Sequence, residues 1–262
     1  MYAMQKAHIP KVRFELPTID REAKVLVMFL RSGPEAWKKH IYERHPELTV
    51  ALRGVTDVDE IYKVCYVHAR RFRHDHAQEF RKALRDNEAL WHPIEEEYLK
   101  TLREHFEIDY PSHRRVMRAY VSMVPMYPRW LSQWSFNVSY FQPDRIREIA
   151  CHEIQHFLYF KKWLEVFPET TYKELNRPHL VWMLSELVAP VILNEHPEFS
   201  KLLTRKQETY KHFQKIRVDG KQPTTHLARM YRKHLRSGAP FESFLREIWE
   251  FAQTNKEALL KA

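Results

Sequence analysis

The stretch Ile149–Phe160, which reads IACHEIQHFLYF, constrains the fold of this chain more than any other. Its apolar residues recur with helical periodicity, so it predicts a buried helix. On a helix, residues four apart lie on the same face, one turn from each other. His152 and His156 have this spacing, so both imidazoles can reach one point beside the helix. Glu153 lies about 100° around the axis from His152.

The pattern H-E-x-x-H on a helix is typical of a zinc hydrolase. Two imidazoles bind the metal, and the carboxylate accepts a proton from the attacking water. Such a centre needs a third protein ligand, and its fourth position stays open. A motif this short also arises by chance in a chain with 16 His, so its surroundings must support it.

The stretch Leu180–Leu193, which reads LVWMLSELVAPVIL, contains the strongest candidate for a third ligand. It is apolar on nearly all sides, which predicts a buried helix. Its single charged residue is Glu186, and a buried carboxylate is costly unless it is paired or bound to a metal. Glu186 follows His156 by 30 residues, which leaves room for a turn and a returning helix. We therefore expect His152, His156 and Glu186 to bind Zn²⁺.

The same residues also have structural interpretations. His152 and His156 fit a helix core as hydrogen-bonded histidines, and Glu186 fits one as a carboxylate that is protonated or paired with a buried Arg or His. His179 is an alternative third ligand. Its place beside Pro178, at the start of a helix, favours a role near the helix cap.

The sequence contains two other groupings of metal-binding residue types. His74 and His76, in the basic run RRFRHDH, face away from each other on a helix and favour a basic surface. Glu153-x-x-His156 is also the ligand pair of di-iron helical bundles. That class needs a second E-x-x-H, and the chain has none.

The composition indicates a well-folded, helix-rich globular protein. The chain has 262 residues, 44% of them hydrophobic, and only 4 Gly, which fits one large domain or two small ones. Its two cysteines, Cys65 and Cys151, do not make a disulfide framework. The N-terminus lacks the apolar core of a signal peptide, and no segment approaches 18 uncharged apolar residues. We expect a cytoplasmic protein with no membrane partner.

The formal net charge of +9 points to anionic partners. Lys and Arg are scattered along the chain, however, which is typical of solvated helix faces. Nucleic acid is therefore a partner that the charge allows and does not require. The alternative function is that of a non-catalytic, basic nucleic-acid-binding or regulatory protein with a degenerate core, whose binding would depend steeply on salt.

The order of elements predicts a helix-dominant α+β fold. Alternating polar and apolar residues predict strands at Arg115–Val124 and Ser135–Phe141. Short strands are also expected at Val12–Leu16 and Leu48–Leu52. Pro93 is expected to break a long helical segment. We expect a helical N-terminal region at 1–110 and a core at 111–262, in which a small antiparallel sheet precedes the helix with the H-E-x-x-H motif and a later ligand helix.

This core resembles that of the zincin metallopeptidases of the gluzincin type, over about Arg115 to Leu193. The resemblance implies three zinc ligands and a general base, namely His152, His156 and Glu186 with Glu153. It implies that a peptide or protein substrate lies along an edge strand formed by Ser135–Phe141 or its neighbour. The segment Ser185-Glu186-Leu187-Val188 departs from the N-E-x-x-S/D pattern of thermolysin-like enzymes.

The resemblance further implies a residue that helps zinc to hold the oxyanion of the tetrahedral intermediate. In such sites a Tyr or His downstream of the zinc ligands often has this role. Tyr231 and His226 are our candidates, and packing in the core or at the surface is the alternative for each.

Overall fold

The computed structural model describes residues 8–260 and has the helix-dominant α+β fold that the sequence predicts. The helices of the described chain are α1 (Ile19–Ser32), α2 (Glu35–Arg44), α3 (Pro46–Ala51), α4 (Val58–Asp75), α5 (Ala77–Phe106), α6 (Ile146–Val166), α7 (Leu180–Glu195), α8 (Pro197–Leu202), α9 (Pro223–Ser237), α10 (Phe241–Thr254) and α11 (Lys256–Leu260). The strands are β1 (Lys11–Glu15), β2 (Val116–Ser122), β3 (Arg129–Trp130) and β4 (Ser135–Ser139). No described helix is both long enough and apolar enough to cross a membrane.

The described chain divides into two units. The sheet unit comprises Lys11–Pro93 and Val116–Ile149, and the helical unit comprises residues 8–10, 94–115 and 150–260. The sequence predicts a single boundary near residue 110. The structure instead builds each unit from separate stretches, because β1 pairs with β2 about 100 residues further along the chain.

The four strands form a mixed sheet in the order β1-β2-β4-β3. β1 pairs with β2, and β2 with β4, in parallel, whereas β3 pairs with β4 in the antiparallel sense. The expectation of an antiparallel sheet is therefore wrong. Parallel neighbours need a long crossover connection, which α1 to α5 provide between β1 and β2. β4 (Ser135–Ser139) has a neighbour on each side, so the predicted strand Ser135–Phe141 is not itself an edge strand. Its neighbour β3 forms that edge of the sheet.

Two local predictions fail for reasons of helix chemistry. Leu48–Leu52 falls mostly in α3, because Pro46 is preset for the first helical position. Pro93 does not break α5, which continues through it from Ala77 to Phe106. A proline removes one backbone hydrogen bond from a helix, and in a long helix the remaining hydrogen bonds can keep the segment helical on both sides of the proline.

A buried ion pair ties the first helix of the sheet unit to the end of its central strand. The Glu22 carboxylate is 1% exposed and accepts hydrogen bonds from Arg73 Nη2 at 2.9 Å, Ser122 Oγ at 2.6 Å and the Met123 N–H at 3.1 Å. Burial raises the pKa of Glu22, and these partners oppose that shift. The pair thereby joins α1 and α4 to the chain that follows β2.

Acid should destabilise the protein through His45, which lies in the sheet unit with no exposed surface. Its Nε2 lies 3.0 Å from the carbonyl oxygen of Met123, and His68 Nε2 lies 3.1 Å from its Nδ1. Burial lowers the pKa of His45 from 6.5 to about 4. The unfolded chain therefore binds this proton first, and the stability that neutral His45 contributes is lost as the pH falls from about 6.5 to about 4, a loss of about 3 kcal/mol.

Urea unfolding of the wild type and of His45→Gln at pH 7 and pH 4 measures this contribution. Glutamine keeps a hydrogen-bond donor and does not titrate, so the free energy of unfolding of this variant should depend less on pH. His74→Gln is the control, since the His74 side chain is 88% exposed. Equal pH dependence in the wild type and His45→Gln would contradict the interpretation.

Candidate metal centre

Two buried helices of the helical unit carry the predicted ligands. His152 and His156 lie on α6, and Glu186 lies on α7. Every residue of α7 from Leu180 to Leu193 is buried, and this helix packs against α8, α9, α10 and α11. α7 is therefore a buried helix, as its apolar sequence predicts. Its one carboxylate in this stretch, Glu186, lies in an apolar environment.

The three side chains converge as the sequence predicts. His152 Nε2 lies 3.1 Å from Glu186 Oε2 and 3.2 Å from His156 Nε2. His156 Nε2 lies 3.6 Å from Glu186 Oε1. In a tetrahedral zinc site with bonds of roughly 2.0–2.1 Å, neighbouring ligand atoms are about 3.3 Å apart. The observed separations suit that donor set.

Direct hydrogen bonds alone account poorly for this arrangement. A ring nitrogen carries either one hydrogen or one lone pair, so His152 Nε2 can make one full hydrogen bond to its two close neighbours. If it donates to Glu186, it has no lone pair to accept from His156. The separation of 3.6 Å between His156 and Glu186 is too long for a hydrogen bond. A cation accepts lone pairs from all three groups together.

The centre is closed on most sides. The side chains of His156 and Glu186 are each 1% exposed, whereas that of His152 is 15% exposed. The ring of Phe160 stacks on that of His156, with centroids 5.7 Å apart. Within residues 8–260, this is the one group of three or more His, Cys, Asp or Glu side chains close enough to hold an ion. The centre therefore combines converging donors with an apolar wall, which strengthens electrostatic interactions.

Glu153 and His179 lie outside the cluster of three converging side chains. Glu153 follows His152 directly on α6 and is 3% exposed, so it belongs to the same buried turn. His179 precedes Leu180 at the N-cap of α7, as its position beside Pro178 predicts. The role of Glu153 as a general base stays a prediction.

Tyr231 and His226 lie on α9, which packs against α7. Tyr231 has no exposed surface, its hydroxyl lies 3.1 Å from His105 Nε2, and burial raises its pKa well above its usual value. His226 Nε2 lies 2.9 Å from the carbonyl oxygen of Val218. The hydroxyl and the ring nitrogen thus contact groups outside the ligand set, and a role in holding an oxyanion stays a prediction for both residues.

A second buried polar pair on α6, Gln155 and Tyr159, was not among the predicted site residues. Gln155 and Tyr159 are each 2% exposed, and Gln155 Oε1 and the Tyr159 hydroxyl have no hydrogen-bond partner in the described chain. The two residues are four apart and share a face of the helix. Polar residues at that spacing in an apolar helix are the signal that would have found them.

The H-E-x-x-H motif lies on α6, Glu186 lies on α7, and strand β4 precedes α6 in the chain. The resemblance to gluzincins stays a prediction from the sequence. Comparison of the chain with protein-family models, with curated proteins and with solved structures gave no match.

Proposed function

We propose that the protein is a zinc-dependent peptidase in which His152, His156 and Glu186 hold the metal and Glu153 is the general base. The observation that carries the proposal is the convergence of two imidazole nitrogens and one buried carboxylate at 3.1 to 3.6 Å. Two nitrogens and one oxygen suit zinc better than Ca²⁺ or Mg²⁺, which prefer oxygen ligands.

The chain's own groups divide the work of hydrolysis. Zinc, when bound, would polarise the scissile carbonyl and lower the pKa of water at neutral pH. Glu153 takes the proton from the attacking water and later donates it to the leaving amine. The closed packing of α7 keeps Glu186 in place, and the partial exposure of His152 sets the side from which a peptide approaches.

Metal analysis and peptide hydrolysis, measured on the same purified protein, test the proposal. We expect about one zinc ion per chain and cleavage within a library of quenched fluorescent peptides. Treatment with 1,10-phenanthroline should abolish cleavage, and added Zn²⁺ should restore it. Absence of zinc would overturn the proposal. Zinc without cleavage of any peptide would overturn the peptidase assignment and favour the non-catalytic alternative.

A further inference from the structure

We propose that one face of the sheet binds single-stranded nucleic acid. This polar sheet face is formed by Lys11, Arg13, Glu15, Arg118, Tyr120, Ser135, Asn137 and Trp130. It belongs wholly to the sheet unit, so the proposal does not depend on the metal centre.

The strand register places these side chains together. Arg13 pairs with Arg118, Arg118 with Ser135, and Ser135 with Trp130, so the four form a row across the sheet. Glu15, Tyr120 and Asn137 form the next row in the same way. Paired residues on neighbouring strands lie on the same face of a sheet. The opposite face is apolar and buried, and includes Val12, Phe14, Met117, Ala119, Phe136 and Val138.

Exposed cations occupy one side of this face. Lys11 and Arg13 are exposed on β1, which lies at the edge of the sheet, and the Arg118 side chain beside them is 49% exposed. Residues two apart on a strand are about 6.6 Å apart, and neighbouring strands are about 4.8 Å apart. Lys11 and Arg13, two apart on β1, can contact successive phosphates of an extended strand.

Two aromatic rings stand on the other side of this face, held by Arg21 of α1. The Arg21 guanidinium lies 4.1 Å from the centre of the Tyr120 ring and 3.9 Å from that of Trp130. It donates to Gln133 Oε1 at 3.2 Å and to Ser135 Oγ at 3.3 Å, which fixes it between the rings. Arg21 therefore covers one face of each ring and holds both rings in place, so an unpaired base would stack on the opposite face of either ring.

The rings also line a cleft that a base can enter. Tyr120 and Trp130 are half-buried and border a cleft of about 490 Å³ beside the first turns of α1, a volume within the range of small-molecule sites.

The carboxylates near the cleft do not cancel its positive charge. Glu15 lies 3.3 Å from Arg118 Nε, and Asp20 lies 2.9 Å from Lys24 Nζ. Lys11, Arg13 and Arg21 remain in excess. Cations alone would also attract an acidic peptide, but the paired rings contribute stacking only to a ligand with planar groups. Bases in a duplex are already stacked, which favours a single strand.

Fluorescence anisotropy with labelled (dT)20, measured between 50 and 200 mM salt, tests the cations. Each phosphate contact to a single strand contributes about 0.7 to the slope of log affinity against log salt, so Lys11→Gln/Arg13→Gln should reduce that slope by about 1.4. The control Arg53→Gln/Lys63→Gln removes the same charge from exposed positions of the sheet unit off the polar face, and it should leave the slope unchanged.

The rings are tested separately. Trp130→Leu should weaken (dT)20 binding about 5- to 140-fold, the range that loss of one stacked base gives, and Trp130→Phe should retain most of the affinity. Trp37→Leu is the control, because Trp37 is a half-buried tryptophan on α2 outside the polar sheet face, and it should leave the affinity unchanged. Thermal melting checks that each variant folds. Ultraviolet crosslinking should attach (dT)20 to peptides that contain Tyr120 or Trp130.

Three results would overturn the proposal. One is absence of (dT)20 binding at 50 mM salt. Another is equal loss of affinity in the Lys11/Arg13 variant and its control. The third is equally tight binding of polyglutamate or of duplex DNA, since either would assign the face to anions in general and not to unpaired bases.

Discussion

Glu153→Gln should lower the rate of peptide hydrolysis by about 10²- to 10⁴-fold while zinc stays bound. Glutamine has nearly the same shape as glutamate and cannot accept the proton of the attacking water. Because Glu153 is not among the three converging ligands, its neutralisation should leave the metal in place. Hydrolysis assays and metal analysis by mass spectrometry, made on one preparation, measure both effects.

Glu165→Gln is the matched control for this variant. Glu165 is also on α6, its side chain is 55% exposed, and it lies 2.6 Å from Lys162 Nζ. Its neutralisation should change neither activity nor zinc content. If Glu153→Gln loses its zinc, Glu153 is a ligand and the assignment as general base is wrong.

Glu186→Ala should weaken zinc binding by more than about 100-fold, beyond the loss typical of residues that only support a metal ligand. The variant removes the one anionic ligand and leaves two imidazoles facing each other 3.2 Å apart. Zinc at about 1,000 times its dissociation constant should stabilise the wild type by about 4 kcal/mol, and the variant should lose most of that gain. Titration calorimetry and zinc-dependent thermal melting measure the two quantities.

Glu195→Gln provides the comparison within the same helix. Glu195 ends α7, its side chain is 29% exposed, and it lies 2.9 Å from Arg232 Nη1. Its replacement should leave zinc affinity unchanged. Wild-type zinc affinity in Glu186→Ala would instead support the structural interpretation, in which these residues form a hydrogen-bonded core.

The site could be predicted from the sequence because its signals are local. The spacing of His152 and His156 depends only on helix geometry, which any apolar helix reproduces. Glu186 stands out because no other charge occurs in Leu180–Leu193. In both places the periodicity predicts the helix, and the exceptional polar residue within it indicates the candidate ligand.

Features that depend on distant contacts were not predictable in the same way. The sheet is mixed because β1 joins β2 from about 100 residues away, and no local alternation records whether two strands run parallel. The partners of Tyr231 and Glu22 come from other elements, so their spacing along the chain carries no information. Pro93 is a local signal that gave a wrong prediction. Proline usually ends a helix, but here it lies inside the 30-residue helix α5.

The unequal exposure of the three proposed ligands would have a consequence for metal exchange. Because His156 and Glu186 are buried, an ion held there would be nearest to solvent at the imidazole of His152. Release of the ion would then require the His152 side chain to move. The bound zinc should consequently exchange slowly. The rate at which a chelator removes zinc should depend more on movement of the His152 side chain than on the chelator concentration.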